Sequence, residues 1–128
     1  MALIVGLVGC GDRKVPHSAR AKDMYTSTYF LHKRTWAENN CDEWWIVSGR
    51  YGLLAPDQGI PTYNERVNPL TRDLFLKKVW RQLSDAYRGS PALHHFVMLV
   101  SPNYLELPAT YTDQHWPRLG KGIGNQMA

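Results

Sequence analysis

Three short apolar runs in this chain have no polar side, and that narrows the fold more than any other feature. Residues 3–9 read LIVGLVG, residues 43–48 read EWWIVS, and residues 96–100 read FVMLV. A strand on a half-exposed sheet alternates apolar with polar residues. A run that is apolar nearly throughout is covered on both faces. Helical stretches separate the runs. Ser27 is placed to cap a helix running to about Asn39, with Phe30, the stem of Arg34 and Ala37 as its stripe and Leu31 and Trp36 at the flanks. Asn68-Pro69 looks like a second helix start. Leu76, Val79, Trp80, Leu83 and Ala86 then recur at helical spacing before Gly89 and Pro91, so Trp80 is expected in the core.

The order strand, helix, strand, long loop, helix, strand favours right-handed crossovers and parallel pairing. The expected fold is α/β: a small three-layer domain with a short, mainly parallel sheet and helices on both faces. A length of 128 residues fits one domain. The chain reads as a single α/β domain over residues 1–128 that stops short of a further C-terminal element. A three-stranded sheet is small, so a homodimer that extends it is a further expectation.

No run of about 18 apolar residues occurs, so no membrane span is expected. The opening MALIVGLVG has no basic leader and reads as a first strand, not a signal peptide. Cys10 and Cys41 are the only cysteines, and they form no CxxC pair. That usage points to a reducing cytoplasm. The cysteines and five scattered histidines lack the spacing of a four-ligand zinc site, so neither a metal nor another cofactor is expected.

All three apolar runs empty into polar residues: Cys10 to Lys14, Ser48 to Tyr51, and Ser101 to Tyr104. In parallel α/β sheets the ligand sits beyond the carboxyl ends of the strands. The first loop, GCGDRK, offers Gly9 and Gly11 for close backbone approach and Arg13 and Lys14 for charge, but has neither P-loop nor dinucleotide spacing. It reads as a small phosphate-binding turn or as a tight turn with exposed basic residues. Cys10 is a nucleophile or, more simply, an inert buried thiol. Asp12 is an acid or base, or a cap.

In the long loop over residues 49–67, Arg50, Tyr51 and Tyr63 suit the clamping of a planar base, with Gly52 beside them and Ser48 orienting a sugar or base edge. The plainer reading is that Tyr51 and Tyr63 pack under the loop and pin it. Glu65 and Asp12 are the carboxylates able to stabilise a sugar cation as a glycosidic bond breaks. A surface salt bridge for Glu65 is the plainer alternative.

Net charge is +4, from 15 basic and 11 acidic residues, and it is uneven. Arg13, Lys14, Arg20, Lys22, Lys33 and Arg34 face only Asp12 and Asp23 in their stretch, next to Tyr25, Tyr29 and Phe30. This suits phosphate contact with base stacking, or else a solvated basic face. The tail GKGIG offers backbone N–H groups of Gly122 and Gly124 to phosphate, or is a flexible terminus.

VGCGDRK, AKDMYTSTYF, WWIVSGRYGLLAPDQGIPTY and GKGIGNQMA together resemble a family of small uncharacterised domains common in phage and bacterial genomes. Those domains in turn look like a compact relative of the bacterial YaaA peroxide-stress proteins. The resemblance implies association with DNA binding and protection, or with modified-base and transglycosylase-type chemistry. Its matching positions are Cys10, Lys14, Tyr25, Ser27, Ser48, Tyr51, Gly52, Tyr63, Gly122 and Gly124. Two functions follow as expectations. One is an enzyme that binds a nucleotide or exposed base and acts on an N-glycosidic bond. The other is a non-catalytic nucleic-acid-binding or stress-protection module, or a subunit whose exposed Trp and Tyr residues meet a protein partner.

Overall fold

A computed structural model describes residues 2–11, 13–63, 72–88, 91, 94–101, 105 and 107. Strand β1 (Ile4–Gly9) runs up the middle of the main sheet. It is flanked by β3 (Glu43–Ser48) and β6 (His95–Leu99), both parallel to it, with Leu7 opposite Trp45 on one side and Met98 on the other. A fourth strand, β4 (Gly52–Leu54), turns back antiparallel on the outer edge of β3, giving the order β4-β3-β1-β6.

The strand period of two sorts β1 between two cores. Val5 and Leu7 join Val47, Phe96 and Met98 under α3 (Arg72–Ala86), while Val8 joins Ile46, Val97 and Leu99 under α2 (Thr28–Asn40). The domain is therefore the expected three-layer α/β arrangement. Gly6 lets α2 lie close, since a Cβ there would meet Cys41 Sγ at 3.0 Å and Trp44 Cβ at 3.3 Å.

Ser27 caps α2 as its sequence position predicts, with Oγ accepting from Phe30 N at 3.1 Å. The buried face of α2 differs from the expected stripe. It is Phe30, Lys33 and Ala37, whereas Leu31 is 42% exposed. Arg34 turns outward to Asp23, Glu38 and the Lys22 carbonyl. On α3 the buried residues are Phe75, Val79 and Leu83. Trp80 packs half-buried against that core, and Ala86 is exposed. The Asn68-Pro69 helix start and Gly89 lie outside the described residues.

The long loop and the stretch between β1 and α2 hold more structure than expected. Besides β4, a short strand β5 (Gly59–Ile60) pairs antiparallel with β2 (Ala19–Arg20), which leads into the single turn α1 (Ala21–Met24). Strand β4 is short, but Leu53 and Leu54 are 5% and 1% exposed. Gly52, at φ +73°, turns the chain back along β3, and the Gln82 side chain fills the space where a Cβ would stand. Among the described residues no helix is long and apolar enough to cross a membrane.

Candidate functional site

Because β1, β3 and β6 are parallel, their carboxyl ends share one edge of the sheet. Cys10 is pinned at the top of the central strand, where its N–H donates to Val47 O at 3.2 Å. Ser48 ends β3 with no exposed surface. Its Oγ accepts from Arg50 N and Tyr51 N, each at 3.2 Å, and so turns the chain out of the strand. That commits its lone pairs, and the hydroxyl donates to Tyr63 OH at 2.7 Å.

Tyr63 OH is the hub of the cluster. It also shares a hydrogen bond with the Tyr25 hydroxyl. The Tyr51 ring stands edge-on to Tyr63, centroids 5.3 Å apart at 84°, and the exposed Arg50 guanidinium lies 5.4 Å from the Tyr51 ring centre.

Lys14 reaches this cluster through a backbone clasp. It bridges antiparallel to Tyr25, supported by Val15 N to Met24 O at 2.9 Å and Thr26 N to Arg13 O at 3.1 Å. Side chains opposite one another on such a pair leave on the same side. Lys14 Nζ accordingly sits 4.5 Å from the Tyr63 ring centre and 5.9 Å from that of Tyr25. Lys33 comes from beneath. Its Nζ donates to Gly9 O at 3.0 Å and lies 4.3 Å from the Tyr29 ring centre. Gly11 presses on the α2 cap, since a Cβ there would stand 3.0 Å from Ser27 Oγ.

Burial pushes the Cys10 thiol up, while Tyr63, Lys14, the Gly49 N–H and Lys33 pull it down without fully offsetting burial. Burial, with Cys10 next in effect, moves the Tyr63 phenol to about 12 and the Tyr25 phenol well above its usual range. Burial lowers the Lys33 ammonium to about 8, with Cys10 acting the other way.

The structure thus brings together Gly9, Cys10, Lys14, Tyr25, Ser27, Ser48, Tyr51 and Tyr63, with Arg50 at the rim and the Arg13 backbone in the clasp. Gly52 serves the turn beside them. Asp12, Glu65, Gly122, Gly124 and Pro102 to Tyr104 lie outside the described residues. The basic stretch does not form one open face. Arg20 and Lys22 meet Asp57 at 3.7 and 3.0 Å, Arg34 meets Asp23 and Glu38 at 3.3 Å each, and Lys33 is 5% exposed.

Lys33 is the site residue that sequence reasoning missed. Its spacing from Phe30 and Ala37 marks the buried face of α2, but a lysine there reads as surface. Among the described residues no three His, Cys, Asp or Glu side chains group to hold a metal. An apolar hollow lined by Glu43, Trp44, Trp45, Ala55 and Pro56 lies toward the other end of β3, away from these polar groups.

Residues 5–128 match a family of unknown function, DUF6884, and the chain belongs to that family. No curated protein and no solved structure matches it.

Proposed function

We propose that this family member binds a nucleotide, or an exposed nucleic-acid base, across the carboxyl edge of its parallel sheet. The observation that carries the reading is the convergence of Lys14 and Tyr51 on Tyr63, from loops that follow two different parallel strands. A cation beside aromatic rings suits a phosphate joined to a planar base. The position is the one where parallel α/β sheets hold their ligands.

The pairing of Arg20, Lys22 and Arg34 with acidic neighbours favours a compact ligand over a long nucleic-acid track, which would need a row of available cations. Action on an N-glycosidic bond is the catalytic form of the same proposal, with Asp12 or Glu65 supplying the carboxylate and Ser48 orienting the sugar. The kinship to YaaA proteins, a phage or bacterial setting, a cytoplasmic location and a homodimer belong to the proposal as well.

Calorimetric titration of the protein with nucleoside monophosphates and with a short single-stranded DNA tests it. A monophosphate should bind, and Tyr51→Ala should weaken it on the order of tenfold through lost stacking. Binding of the oligonucleotide alone, fading steeply with salt, favours the nucleic-acid module instead. Binding of neither defeats both readings.

A further inference from the structure

Resting on the reading of this edge as a ligand cleft, we propose that the Tyr63 hydroxyl donates to the ligand's phosphate, and that with Lys14 it forms an oxyanion subsite able to take inorganic phosphate alone. Ser48, Tyr25 and Tyr63 carry three hydroxyl protons, and two hydrogen bonds join them, both at Tyr63 OH. Each bond uses one proton. One proton is therefore left over, whichever way the Tyr25–Tyr63 bond points.

The surplus proton is not that of Ser48. Its oxygen already accepts from Arg50 N and Tyr51 N, so its own proton goes to Tyr63. Of the two phenols, Tyr25 is 1% exposed and Tyr63 is half-buried, so Tyr63 is the one a ligand can reach. With Ser48 and Tyr25 both donating to its oxygen, the Tyr63 O–H points out of the cluster. Among the described residues no carboxylate or carbonyl oxygen takes that proton. The Cys10 thiol, in the same packed cluster, is a weak acceptor that an anionic oxygen outcompetes.

A surplus O–H calls for an acceptor, and the charge beside it selects an anion. Lys14 Nζ lies 4.5 Å from the Tyr63 ring centre, on a backbone clasped to Tyr25. A phenol donor and an ammonium at one place suit a group that only accepts and is negative, which describes a phosphate oxygen. Tyr51, its ring centre 5.3 Å from that of Tyr63, then meets the base joined to that phosphate.

Inorganic phosphate, titrated at constant ionic strength, is the probe. Amide NMR shifts follow binding and report the fold of each variant in the same spectra. The chain is also labelled with carbon-13 at tyrosine Cζ, the ring carbon that bears the hydroxyl. Lys14, Ser48 and Tyr51 amides should shift saturably with a Kd on the order of 1 mM, and Tyr63 Cζ should move along the same curve. Tyr63→Phe and Lys14→Gln should each weaken binding about tenfold. Arg20→Gln removes the same charge at a cation already paired with Asp57, and should bind as the parent does.

Absence of saturable binding means that solvent takes the proton, and overturns the proposal. So does binding that leaves Tyr63 Cζ unmoved, or that Arg20→Gln weakens as much as Lys14→Gln. The Cζ measurement needs no variant, so a misfolded Tyr63→Phe does not blunt the test. Phosphate binding that a joined nucleoside does not strengthen keeps the subsite and removes the nucleotide. Nucleotide binding with Tyr63 Cζ unmoved removes the subsite and keeps the cleft.

Discussion

The two ends of the main sheet both use polar side chains to close backbone, and they differ in the groups gathered around those bonds. At the amino edge they close backbone. Leu3 N donates to His94 Nδ1 at 3.0 Å, and Ile4 N donates to Asp42 Oδ2 at 2.8 Å while Ile4 O accepts from Asp42 N at 2.8 Å. Trp45 Nε1 donates to Tyr87 OH, which donates to Glu43 Oε1 at 3.0 Å. At the carboxyl edge Ser48 and Lys33 close backbone too, but Ser48 and Tyr25 also meet at the Tyr63 hydroxyl, with Lys14 over its ring.

Each edge also has one cysteine. Cys41 has an anionic neighbour, whereas Cys10 has two cationic ones. A backbone bond finishes a strand, and its value is spent once the chain is folded. A cluster of hydroxyls, thiol and ammonium groups keeps protons and charges that a ligand can use. That difference is why the ligand is proposed at the carboxyl edge.

The comparison can be attacked first through what both edges share. Leu7→Ala empties the middle of the central strand, where Leu7 is fully buried, and should cost about 3 kcal/mol in urea unfolding, loosening both edges together. Loss at one edge alone would mean that the sheet does not couple them. Tyr63→Phe should cost about 2 kcal/mol, because it strands the buried Ser48 and Tyr25 hydroxyls.

The stability gap between the parent chain and Tyr63→Phe should also depend on pH. The folded phenol is raised to about 12 from 10, so its contribution is complete below about pH 10 and disappears as pH rises through 12. Unfolding curves across that window check the sign. Asp42→Asn should cost least, about 0.5 kcal/mol, because the exposed Ile4 N–H keeps a side-chain oxygen as acceptor. Its telling effect is a Cys41 thiol titrating below about 11, with Cys10 unmoved.

Much of this architecture was legible in the sequence. Three runs without a polar face implied parallel pairing between helices, and their polar endings implied one shared edge. Ser27 as a cap needed only its place before the helix. What escaped was short or distant. Three residues of β4 carry no readable period, and the strand exists because Ser48 and Gly52 turn the chain back.

Lys33 escaped because a charge normally marks the wet side of a helix, and here a carbonyl and an aromatic ring hold it inside. The Tyr25–Tyr63 pair joins positions 38 apart in the chain, a contact that only the folded β2–β5 flank brings about. Arg13 to Arg34 read as a basic face because Asp57, which neutralises Arg20 and Lys22, lies far along the chain.

Gln82 has a consequence for how molecules of this protein meet. Strand β4 is the outer strand beside β3, and Leu53 turns its N–H and C=O away from the sheet. One side-chain amide answers both: Gln82 Oε1 accepts from Leu53 N at 2.8 Å, and Gln82 Nε2 donates to Leu53 O at 3.4 Å and to Tyr51 O at 3.1 Å. The glutamine behaves as a strand one residue long. An open margin of this kind is a template on which a neighbouring chain can crystallise its own backbone, the first step toward fibrils. Here that template is already spent, and the molecule guards against aggregation along this margin with a single amide.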